Sequence, residues 1–170
     1  MELTYREWWA LIHGVVLGGL FLLAFAGGLA ELYALRATVE TPSGLRTSAR
    51  RIGVGITSMA VISWLTVITG TWIVYPWYRD PSSDSPRSTL LADSATEGWH
   101  TFGMEWKEHI AWISPILATV AAFLVLYYGP ALAGNRRLRR TTMVVFVGAF
   151  LAAGVAGLFG ALITKAAPVA

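Results

Sequence analysis

Long apolar runs broken by short charged clusters set the frame for this chain. Four stretches free of acidic and basic residues stand out: Trp8 to Ala30, Ile52 to Tyr75, Ile110 to Gly134 and Thr141 to Thr164. A bilayer crossing needs roughly 20 predominantly apolar residues, and each run reaches that length. Lipid offers no partners to free backbone groups, so such runs are helices or strands of a closed barrel. Barrel strands alternate in polarity and these runs do not. The pattern predicts an all-α, integral membrane four-helix bundle in one domain, 1–170. Its spans are expected at about 8–35, 52–75, 109–134 and 141–164, with a polar loop over 79–108.

Charge placement adds an orientation. Arg36, Arg46, Arg50 and Arg51 lie between the first two runs, and Arg136, Arg137, Arg139 and Arg140 between the last two. Short cytoplasmic loops carry the excess of Lys and Arg. Loops 36–51 and 135–140 are therefore expected in the cytoplasm of a bacterial-type plasma membrane, with both termini outside (N-out/C-out). The 79–108 loop mixes Asp80, Asp84, Asp93, Glu97, Glu105 and Glu108 with Arg79, Arg87 and Lys107, and belongs outside. Trp8, Trp9, Trp72, Trp77, Trp99, Trp106 and Trp112 gather at that same level as an aromatic belt. Within the loop, Leu90, Leu91, Trp99, Phe102 and Trp106 suggest a short surface helix. Pro76 is expected to stop span 2 and Pro115 to kink span 3.

Composition narrows the chemistry. Hydrophobic residues make up 55% of the chain and charged ones 14%, and 13 basic against 10 acidic residues leave only +3. Nucleic acid is not an expected partner; the lipid bilayer is. No cysteine is present, which removes thiolate metal sites, iron–sulfur clusters and covalent haem attachment. The first apolar run could be read as a cleaved signal peptide ending near Ala24-Phe25-Ala26. Its amino-terminal flank is not net positive and the run is too long, so a true span is the better reading.

The three histidines, His13, His100 and His109, all fall at the outer end. His13 lies one turn inside Trp9, and His109 lies three residues beyond Trp106, a similar depth. Imidazoles at matched depth on neighbouring helices are what a bis-His haem b requires, and bundle cores are common places to build one. At about 100° per residue, His13 shares a stripe with Leu17, Leu20, Ala24 and Glu31, and His109 shares one with Glu105, Ile113, Ile116, Val120 and Tyr127. The His13 stripe is expected to face the interior, because Glu31 on it avoids lipid there, with Gly14 and Gly18 giving a flat cofactor close approach and Arg79 meeting a propionate or a lipid headgroup. His100, Met104 and Glu105, with His109, form the alternative metal donor set, for copper or zinc. The simpler reading of each is a packing glycine, an interfacial anchor or a solvated helix start.

In architecture, with His13 in span 1 and His109 at the head of span 3, the chain resembles small four-helix membrane cytochromes of the b type. That resemblance implies one haem b near the outer face, passing electrons to or from a quinone or a larger redox complex. The chain departs from the di-haem members in having no histidine near the inner face. A non-catalytic membrane subunit or assembly factor, docking a partner through its outer loop and able to oligomerise, is the alternative expectation.

Overall fold

The computed structural model describes residues 2–35 and 41–168; Arg36 lies outside the described residues. The fold is all-helical, and four helices are long and apolar enough to cross a membrane: α1 (Tyr5–Ala34), α2 (Pro42–Tyr78), α4 (Trp99–Tyr128) and α6 (Arg136–Ala166). Two short helices join them, α3 (Pro86–Leu91) before α4 and α5 (Ala131–Gly134) after it.

Local chemistry sets the ends. Thr4 caps α1 in a reciprocal capping box with Glu7. Thr41 caps α2 ahead of Pro42, whose missing N–H costs nothing in a first turn. Helix α2 therefore begins ten residues earlier than its apolar run, and Arg46, Arg50 and Arg51 ride on its first turns rather than in a loop. Span 3 ends at Tyr128, not at Gly134, because Gly129 adopts φ 47°, a conformation open mainly to glycine. Asn135 then caps α6 through Leu138 N.

Two prolines behave differently from one another. Helical pairing breaks at Trp112, where Pro115 lacks the N–H that would bind the Ala111 carbonyl. Pro76, expected to stop span 2, does not. A π turn at Gly70–Val74 precedes it, and the helix runs on to Tyr78.

Helix α2 packs against both α1 and α4, and α4 packs against α6. Helices α1 and α6 meet more sparingly, through Phe21 and Phe25 against Phe146 and Phe150, with Phe25 and Phe150 stacked at 3.9 Å. The main core lies here and toward the arginine-bearing end, around Leu32, Ile56, Met59, Ala121, Val125 and Phe146. Small residues allow this approach: a methyl on Gly28 would meet Phe146 Cζ at 3.0 Å. A second, smaller core (Tyr78, Leu90, Met104, Ile163 and Ala167) closes the tryptophan-rich end. Leu90 on α3 is buried there, so the expected surface helix docks by one of its leucines while the other, Leu91, stays exposed.

Candidate functional site

Between the two cores, at the tryptophan-rich end, lies a layer of polar side chains drawn from α1, α2 and α4. The backbone is unusual around it. Three π turns occur at this end, over Ile12–Val16, Gly70–Val74 and Trp99–Met104. Single π turns inside α-helices are frequent at functional sites, because the wider turn redirects side chains.

His13 sits within the first of these turns and leans on α2. Its Nδ1 lies 3.0 Å from Thr69 Oγ1. The ring edge rests on Gly70, where a methyl would come within 3.0 Å of Cε1. The charge that acts on this ring is that of Lys107 on α4. Lys107 is half-buried and runs toward α6, where a methyl on Gly160 would sit 3.3 Å from its Cε and 3.4 Å from its Nζ. Among the described residues no hydrogen bond or ion pair reaches that ammonium.

Beside Lys107, Glu108 receives the Tyr75 hydroxyl at 3.2 Å and faces Arg79 at 3.8 Å. Arg79 donates to Glu105 at 3.1 Å and lies over the Tyr75 ring. Arg79, read as a propionate or headgroup ligand, is thus already engaged by two carboxylates. Glu108 Oε1 and the hydroxyl of Ser114, which follows Lys107 on the same side of α4, are buried without hydrogen-bond partners among the described residues.

His109 takes another direction. Its Nδ1 lies 2.6 Å from the Glu105 carbonyl oxygen of its own helix, and the ring is exposed. The stripe it heads points away from the bundle: Ile113, Ile116, Val120 and Tyr127 are all exposed, Tyr127 at 71%. The buried side of α4 is Ser114, Ala118, Ala121, Ala122 and Val125. His109 and its stripe therefore face outward, and His13 and His109 do not face each other in this arrangement. On α1, Leu20 is also exposed, and Glu31 at the far end pairs with Arg51 at 3.3 Å.

The alternative metal donors are likewise separated. His100 is buried with Nδ1 2.7 Å from the Tyr78 hydroxyl, Met104 is buried in the small core, and Glu105 is held by Arg79. Among the described residues no group of three or more His, Asp or Glu side chains converges. Gly14 and Gly18 have open space around them, as do Gly154 and Gly157 on α6. These glycines prolong the sides of α1 and α6 that meet at Phe21 and Phe150.

By sequence alone Lys107 reads as one of the loop charges, yet it belongs to this layer. A signal existed. At about 100° per residue, Lys107 lies on the same stripe as Ser114, Ala118, Ala121 and Val125, the run of small residues that marks a packing face. No protein family, curated protein or solved structure matches this chain.

Proposed function

We propose that this chain is a small membrane subunit of an electron-transfer system, and that its interior site takes the oxygen-bearing head of a membrane-dissolved quinone. One observation carries the reading: Lys107 lies half-buried against Gly160 of α6, and among the described residues no hydrogen bond or ion pair reaches its ammonium. Ionisable groups inside a membrane protein are costly and mark functional paths by default. The Lys107 ammonium is a donor suited to a quinone carbonyl oxygen; His13, whose Nδ1–H is given to Thr69, offers a bare Nε2 that can accept a quinol hydroxyl, and Glu108 is the neighbouring carboxylate for proton exchange. The bare surfaces at Gly14 and Gly18 of α1 and at Gly154 and Gly157 of α6 are where an isoprenoid-like tail would lie. The arginine-rich ends of α2 and α6 face the cytoplasm in this reading, so the site lies near the outer surface.

A second reading, one b-type haem held by His13 and His109, is favoured by a specific detail. Each ring commits Nδ1 to a fixed oxygen and leaves Nε2 free, the arrangement that axial ligands adopt. It requires the first turns of α4 to rotate, since His109 now faces outward.

One experiment separates the two. The protein is purified in mild detergent, its oxidised and dithionite-reduced spectra are recorded, and a short-tailed benzoquinone is titrated against tryptophan fluorescence. A colourless protein with saturable quenching, lost in Lys107→Met and His13→Ala but kept in His109→Ala, supports the quinone site. A reduced b-type spectrum lost in both His13→Ala and His109→Ala establishes the haem instead. Neither signal would leave a partner-docking membrane subunit.

A further inference from the structure

The opposite end of the bundle carries a second arrangement that the redox reading does not use. Two apolar grooves run along the membrane-facing surface there. One, of about 740 Å³, lies between α2 and α4 and is lined by Gly53, Thr57, Val61, Val125 and Leu126. The other, of about 510 Å³, lies between α1 and α2 along Leu23, Ala24, Gly27 and Gly55. Volumes of several hundred Å³ are in the range of ligand clefts. Both grooves share Arg50 and Val54, so they flank one ridge of α2 and meet beneath a single guanidinium.

The charges at this ridge are unequal. Arg51 is paired with Glu31 at 3.3 Å. Arg50 is exposed and has no ion pair among the described residues. The first groove also contains the Thr57 hydroxyl, which is buried without a hydrogen-bond partner among the described residues.

We propose that this ridge is a binding site for one diacyl phospholipid with an anionic headgroup. Its phosphate bonds Arg50, and its two acyl chains descend on either side of Val54, one into each groove. The occupant follows from charge and shape together. A free phosphate would leave both grooves empty, and a neutral lipid would leave Arg50 without its counter-charge. A helix of a partner protein would fill one groove but not both. Basic pockets between transmembrane helices recognise anionic headgroups by this combination of guanidinium and apolar channel.

The test uses the full-length protein, stripped of lipid in detergent and titrated with phosphatidylglycerol or phosphatidylcholine of identical chains. Retained lipid is counted by native mass spectrometry. One phosphatidylglycerol per chain is expected, held about tenfold more tightly than phosphatidylcholine. Arg50→Gln abolishes that preference, whereas Arg51→Gln leaves it in place. Val54→Trp, which fills the entrances of both grooves, lowers retention of both lipids. Equal retention of the two lipids by the unaltered protein, or an unchanged preference in Arg50→Gln, overturns the proposal. The lipid comparison on the unaltered protein stands even if a variant fails to fold.

Discussion

The imidazole of His13 and the hydroxyl of Thr69 meet 3.0 Å apart across the seam of α1 and α2, with Gly70 directly beneath the ring. Thr69 also donates to its own helix, at the Leu65 carbonyl, so its oxygen is fixed before the ring arrives. Thr69→Val leaves a part-buried imidazole nitrogen without its partner, at a cost of about 1–3 kcal/mol. A lowered thermal midpoint in detergent checks this. Gly70→Ala acts on the same ring by contact, since its methyl must push Cε1 away. The expected outcome is weakened binding at the site with the helical content, followed by circular dichroism, unchanged.

Adjacent glycines on α1 make a sharper stability test. A side chain on Gly28 runs into Phe146 and Ile56 at 3.0 and 3.2 Å, whereas Gly27 has nothing within 4 Å. Gly28→Leu should destabilise by about 1–3 kcal/mol through overpacking, and Gly27→Leu should be close to neutral. Thermal unfolding of the two variants side by side decides it. Equal effects would remove the close α1–α6 approach from the account.

This contrast shows where the sequence was legible. Span number and approximate position followed from run length alone, because lipid forbids charges and unpaired backbone along the crossing. Rotational setting did not. In water a helix declares its buried side by contrast, but in lipid both sides are apolar and the contrast vanishes. The His109 stripe and the Lys107 stripe were thus equally plausible interiors by hydrophobicity. Only the small side chains of Ala118 and Ala121 distinguished them. The start of α2 was hidden for the opposite reason, since the cap at Thr41 and Pro42 lies well outside the apolar run.

The tryptophan-rich end should loosen when its buried polar pair is cut. Tyr78 and His100 bond at 2.7 Å inside the small core, with α3 docked beside them through Leu90. Tyr78→Phe is expected to cost about 1–3 kcal/mol and to raise hydrogen exchange over residues 86–104. Exchange confined to the arginine-rich end would contradict it.

Orientation can be read with single thiols, because the chain has no cysteine of its own. Ser83→Cys, in the polar connection before α3, should react with a membrane-impermeant maleimide in intact cells. Asn135→Cys, at the cap of α6, should react only after the membrane is opened. The reverse pattern would invert the topology and place the Lys107 layer at the cytoplasmic face.

The three π turns have a consequence for how this protein tolerates change. Each is an α-helical turn holding one residue more than it needs. A single-residue deletion in a membrane helix ordinarily shifts everything beyond it by about 100° and scrambles the packing. At Ile12–Val16 or Gly70–Val74 the same deletion would relax the turn to ordinary α geometry and return the segment at the tryptophan-rich end to regular phase. Folding and site construction are thus written into separable parts of these helices: a shortened chain keeps its spans while its surplus residue, and the aim of His13, is erased.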